Sequence, residues 1–229
     1  MAAEARRSAS PDVEITAAMA QFGAQFIETP VEATIASHAL LDILAAEADG
    51  YDAAIVSAFR DLGLATAKRM LDIRVVGLSE AALHAAYTLR RRIVIICLTP
   101  RHRDWCGESA EAAGHRDCII NLRVLPVAVQ DISTVVGDLA DPPCEECKRA
   151  VEEDRAEVVI LGGGPTAGLA QKVSDQVPVP LLDGVSCAVQ MAESLAHLPI
   201  EPPHRGGFSR SDPKPTKELS PALATYFEG

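Results

Sequence analysis

The chain carries one pattern twice. Residues 52–88 read DAAIVSAFRDLGLATAKRMLDIRVVGLSEAALHAAYT, and residues 156–192 read AEVVILGGGPTAGLAQKVSDQVPVPLLDGVSCAVQMA. Each runs from an apolar segment through a small-residue loop to a Gly-Leu-Ala helix start, then to a second apolar segment, a turn and an Ala-rich helix. Setting Gly63-Leu64-Ala65 on Gly168-Leu169-Ala170 gives an offset of 105 residues (168 minus 63) and pairs Ala58 with Gly163. A duplicated βαβα unit predicts two pseudo-symmetric, doubly wound α/β lobes with parallel sheets. Loops after corresponding strands can then reach one ligand from opposite sides of a cleft. The expected division is residues 1–90 plus a returning tail, 199–229, for the first lobe and residues 91–198 for the second.

The 229 residues are 48% hydrophobic and 23% charged, enough for a sizeable core. A net charge of −11, with basic residues scattered outside Arg90-Arg91-Arg92, argues against a nucleic-acid partner. The aromatic content of 4% argues against a base-stacking surface. The arginine run is expected to end a helix, where cations offset the dipole. No apolar segment reaches the roughly 18 residues of a membrane span. The start, MAAEARRSAS, is charged where a secretory signal needs its apolar core. A cytoplasmic protein without a membrane partner is therefore expected. Six cysteines at irregular spacing are expected to stay reduced.

Patterning predicts strands at Val13–Thr16, Ala53–Ser57, Arg74–Val76, Ile93–Leu98 and Cys118–Val124. It predicts helices over about 31–47, 64–70, 79–89, 102–113, 144–153 and 220–227, with a poorly patterned stretch at 125–141 and a Pro-rich loop at 199–215. The first ten residues read as the last turns of a helix, and an α/β lobe normally opens on a strand. A strand preceding Met1 is therefore expected.

DAAIVSAFRDLGL, RVVGLSEAALHAA, RAVEEDRAEVVILGGG, VPLLDGVSCAVQMAESL and KELSPALATYF resemble the aspartate/glutamate/hydantoin racemase superfamily, above all its hydantoin and allantoin racemase branch. The resemblance spans about residues 13–228. It implies two lobes, no cofactor, a small-molecule substrate and one cysteine after a strand in each lobe. One thiolate removes the α-proton while the opposite thiol supplies a proton to the other face. The positions corresponding to those cysteines hold Ala58 and Gly163, neither of which carries a proton. The family's first strand leads into an asparagine-bearing, substrate-binding loop, and this chain is read as beginning after it. The resemblance also marks Thr99 and Glu28 as substrate contacts. Pro30 restricts the neighbouring Thr29.

The remaining candidates each have a plainer alternative. Ser57, Ala58 and Phe59 line the first loop, although alternation turns neighbouring strand residues to opposite faces. Asp61 is either a partly desolvated base or a solvated loop or helix-cap aspartate. Glu80 is either a general base or a first-turn carboxylate, with Ser79 as the N-cap. Asp183 follows a strand, where open α/β sheets bind ligands, and Cys187 beyond it is either reactive or packing. Gly163, Gly164 and Thr166 belong to a run whose backbone N–H groups could cradle an anion, or to a tight turn. Gly162-x-Gly164-x-x-Ala167 superficially matches a dinucleotide fingerprint, but too little sheet follows it. Cys144-x-x-Cys147 is half a zinc motif without its other half, and the histidines, His38 and His84 among them, are dispersed, so no metal is expected.

These readings predict an isomerase-class, racemase-like enzyme acting at the acidic α-carbon of a small carboxylate or of a cyclic ureide such as a hydantoin. Its mechanism would not be the two-cysteine one. The alternatives are a cofactor-independent lyase or decarboxylase and a non-catalytic binder of small anions. Enzyme class and tail suggest a homo-oligomer.

Overall fold

The computed structural model describes residues 1–89, 92–126, 141–199 and 212–228. Its elements are α1 (Ala2–Ser8), α2 (Pro30–Glu47), β1 (Ala53–Val56), α3 (Leu64–Met70), β2 (Arg74–Gly77), α4 (Leu78–Leu89), β3 (Ile93–Cys97), α5 (Pro100–Ala112), β4 (Ile119–Val124), α6 (Asp141–Asp154), β5 (Val158–Leu161), α7 (Leu169–Val173), β6 (Leu181–Asp183), α8 (Gly184–Ala196) and α9 (Pro221–Glu228). Helices and strands alternate in an α/β fold, as the periodicity predicts. Strands β4-β3-β5-β6 form a parallel sheet in that order, and β1 and β2 form a two-stranded one. Every residue of β3 and β5 is buried, which explains why IVIIC and VVIL lack polar alternation.

Two compact units emerge. The first comprises Met1–Ile15, Ser57–Asp61 and Gly77–Met191, and the second Thr16–Val56, Leu62–Val76 and Ala192–Gly229. In the first, Val94, Ile96, Val159 and Leu161 of the sheet pack against Cys144, Cys147 and Ala150 of α6 and Leu169, Ala170 and Val173 of α7. In the second, Val56 and Val75 of the small sheet pack with Leu64 and Ala67 of α3 and with Leu40, Leu41 and Leu44 of α2.

The two sequence copies build matching local structure. β1 and β5 start and end 105 residues apart, at 53 and 158 and at 56 and 161. Each copy then opens its short helix on a glycine in the left-handed region, Gly63 at φ 67, ψ 2 and Gly168 at φ 77, ψ −4. Only glycine takes that conformation without steric cost, so the conserved choice of residue between the copies has a backbone cause. A second strand running directly into a longer helix completes each copy, as β2–α4 and β6–α8.

Three expectations differ from the structure. Val13–Thr16 forms no strand: an isolated β-branched run needs a partner, and the Ile15 carbonyl accepts from Arg6 Nε at 3.3 Å instead. Arg92 does not serve the preceding helix. Its guanidinium donates to the carbonyls of Asp154 and Arg155, at 2.8 and 2.9 Å, at the end of α6. The helix expected from 144 begins at Asp141. Arg90 and Arg91, residues 127–140 and residues 200–211 lie outside the described residues.

His115 is stacked on Tyr87 at 4.4 Å and meets the His84 ring edge-on at 4.8 Å, and neither of its ring nitrogens has a hydrogen-bond partner among the described residues. Burial, and secondarily His84, hold its pKa below the ordinary value. A histidine depressed in the folded state contributes stability above its unfolded pKa of about 6.5 and loses it as the pH falls towards the folded value. Urea midpoints are therefore expected to drop below about pH 6.5, and His115→Gln should flatten that dependence. An unchanged slope in the variant would remove His115 from the account.

Candidate functional site

The functional candidates of the first unit gather around two loops that follow strands. In the second copy, Gly162 N–H donates to Ile96 O at 2.9 Å, and the chain then turns through Gly163 at φ 103, ψ 148. The buried Thr166 hydroxyl secures this turn, lying 2.6 Å from Gly163 O and 3.0 Å from Leu161 O. Thr166 is thus occupied within the loop. Among the described residues, no hydrogen bond engages the N–H of Gly163 or Gly164.

In the first copy, Ala58 O accepts from Asp61 N at 2.8 Å, while the N–H groups of Ala58 and Phe59 have no partner among the described residues. Met1 marks the space the two loops share. Its sulfur accepts from Ser57 Oγ at 3.3 Å and also lies where a side chain on Gly164 would begin.

The far end of the first loop is anchored twice. Arg60 donates to Glu108 at 3.1 Å and lies 4.0 Å over the Trp105 ring. Asp61, at φ 51, accepts from Ser79 N at 3.0 Å, Ser79 Oγ at 2.5 Å and Glu80 N at 2.7 Å, and so caps α4 from another part of the chain. Burial raises its pKa against the pull of these hydrogen bonds. A Cβ on Gly77 would overlap this carboxylate. Glu80, half-buried, stands in the first turn of α4 beside it.

Asp183 is buried and caps α8 locally, accepting from Ser186 N at 3.0 Å and Ser186 Oγ at 2.9 Å. Cys187, in the same helix, is pushed up to about 12 by burial and then by the Asp183 charge, so it holds no thiolate at neutral pH. Thr99 caps α5, its hydroxyl accepting from His102 N at 3.0 Å. Glu28 belongs to the other unit, where its N–H donates to Glu32 at 2.6 Å beside the Thr29 capping box. Cys144 and Cys147 are both buried on α6, and the Cys144 thiol faces Gln176 at 3.5 Å.

Sequence reasoning passed over Leu98 and His102. His102 Nδ1 accepts from Leu98 N at 3.1 Å, Nε2 lies 3.5 Å from Cys106 Sγ, and the ring meets Phe59 at 5.8 Å. Burial pulls its pKa down to about 4, so the ring is neutral. A Cβ on Gly163 would stand 2.6 Å from Leu98 Cδ1 and 3.5 Å from His102 Cε1. The spacing Cys97-x4-His102-x3-Cys106 was the available signal, since it puts the last two on one helix face.

These backbone donors stand on loops that follow β1 and β5, the position at which open α/β sheets offer ligand sites. The chain belongs to the Asp/Glu/hydantoin racemase family, whose model matches residues 1–192. It is 29% identical over 195 residues to a hydantoin racemase of Pseudomonas sp. (strain NS671), covering 85% of this chain and 78% of that protein. Its fold matches an allantoin racemase from Klebsiella pneumoniae with a TM-score of 0.88 at 30% identity, over 98% of this chain and 91% of that one. The allantoin racemase from Pseudomonas fluorescens superposes with a TM-score of 0.85 at 28% identity, over 96% and 92% of the two chains.

Proposed function

We propose that the protein is a racemase-type isomerase acting at the acidic α-carbon of a small cyclic ureide of the hydantoin or allantoin kind, or of a related small carboxylate. It does so without a cofactor and without the two-cysteine pair, whose places are taken by Ala58 and Gly163. The observation that carries this reading is the set of N–H groups at Ala58, Phe59, Gly163 and Gly164, unengaged among the described residues on two loops that a single methionine side chain bridges. Such donors suit a carbonyl oxygen that gains charge as the α-proton leaves, and preorganised donors of this kind usually contribute the largest single share of rate enhancement.

Asp61 spends its carboxylate on three donors. We assign positioning of the loop to Asp61 and proton removal to Glu80, a half-buried carboxylate in the first turn of α4. Glu80→Gln is expected to slow racemisation of an enantiopure hydantoin, followed by circular dichroism, by about a hundredfold or more, with ligand-induced thermal stabilisation retained. Equal rates in the variant would exclude Glu80. Stabilisation of the wild type by hydantoin without any racemisation would identify a binder. A cytoplasmic location and a homo-oligomer belong to this reading, and the association is supported by Met19, Phe26 and Val31, which are 86%, 74% and 70% exposed in the second unit.

A further inference from the structure

We propose that Cys97, His102 and Cys106 form a binding site for one thiophilic cation of the zinc type, set against the back of the Gly162–Gly163 turn. Cys97 closes β3, and His102 and Cys106 stand one turn apart on α5. The two sulfurs and one ring nitrogen lie within 4.8 Å of one another, and His102 Nε2 is 3.5 Å from Cys106 Sγ. Around a tetrahedral zinc with Zn–S of about 2.3 Å and Zn–N of about 2.0 Å, neighbouring ligand atoms are about 3.5–3.8 Å apart. The imidazole–sulfur edge already has that length, and the remaining edges close by side-chain rotation over about an ångström at most. Two thiols and an imidazole are a soft donor set, which favours zinc over magnesium or calcium. Its position is close to the site: an ideal Cβ on Gly162 would lie 3.2 Å from His102 Cε1.

Protons and charge balance. The divalent cation displaces one proton from each thiol, two in all, and two thiolates neutralise it, which matters where an unpaired charge is costly. A fourth position is left for water. His102 Nδ1 accepts from Leu98 N–H, so the ring proton sits on Nε2. Coordination through Nε2 therefore moves that proton to Nδ1 and gives up the Leu98 bond. One neutral hydrogen bond is worth far less than two metal–thiolate bonds. The freed residue is the one packed on Gly163, so loading the metal alters a wall of the ligand site.

The test uses the full chain under reducing conditions, titrated with Co2+ and then Zn2+. The expected result is one cobalt per chain, with a thiolate-to-cobalt charge-transfer band and the intense visible bands of a tetrahedral ion. One equivalent of zinc should bleach both, with two protons released per zinc taken up by the metal-free chain. The Cys144→Ser/Cys147→Ser double variant should keep the bands, whereas Cys106→Ala and His102→Gln, each checked for native circular dichroism, should lose or weaken them. No saturable band in the wild type would overturn the proposal, as would bands that survive Cys106→Ala or vanish in the double variant. Should the two α5 variants fail to fold, the wild type and the double variant still decide the matter.

Discussion

Gly163→Cys alone is expected to destabilise the protein by about 3 kcal/mol, summing backbone strain of about 1–3 kcal/mol with overpacking of similar size. Gly163 has φ 103, which side chains rarely adopt, and any Cβ there meets Leu98 Cδ1 at 2.6 Å. Gly163→Ala should cost nearly as much, because the Cβ rather than the sulfur is at fault. Ala58→Cys should be close to neutral, since Ala58 is half-buried and outside the positive-φ region. Placing a cysteine at both positions therefore requires more than two substitutions. Leu98→Val in the Gly163→Cys background should recover the overpacking part of the loss and leave the strain. Urea unfolding at fixed pH measures all five chains, and a Gly163→Cys midpoint equal to the wild type would show that the turn accepts a side chain.

Asp61→Ala is expected to cost about 3 kcal/mol, and Asp61→Asn about 1 kcal/mol. The alanine leaves Ser79 N, Ser79 Oγ and Glu80 N without their acceptor, and a buried donor without a partner costs about 1–3 kcal/mol. It also keeps a non-glycine residue at φ 51 without the side-chain bonds that hold it there. Asparagine keeps one acceptor oxygen, and the Ser79 hydroxyl can turn to accept from its amide. Gly77→Ala should reproduce the alanine phenotype from the other side, because the new methyl overlaps the Asp61 carboxylate. If Asp61→Ala unfolds at the wild-type urea midpoint, the carboxylate does not anchor the loop.

Much of the fold was legible because its causes are local. β3 and β5 are buried on both faces and read as unbroken apolar runs. Gly63 and Gly168 announce helix starts that only glycine reaches at that φ. Val13–Thr16 misled because β-branched content records what a strand tolerates, not whether a neighbour is available to pair with it. At the candidate residues the sequence indicates which side chains follow strands and not which backbone groups they hold. Thr99, Thr166 and Asp183 were marked as ligand contacts, and each also holds a helix start or a turn through a hydrogen bond to a residue three positions away. Asp61 reaches α4 across 18 residues, and no spacing rule foretells that capping. Leu98 went unnoticed because an apolar side chain carries no motif, and His102 because its one signal is a spacing to Cys97 and Cys106 rather than a family pattern, although together they shape the floor beneath Gly163.

Proton NMR of a single hydantoin enantiomer in D2O, with the wild type and with Cys187→Ser, tests the proposed α-proton chemistry without a cysteine pair most directly. The expected result is loss of the α-proton signal, with deuterium appearing in both enantiomers, at the same rate for both proteins. Absence of exchange with the wild type, or exchange that disappears in a natively folded Cys187→Ser, would contradict it.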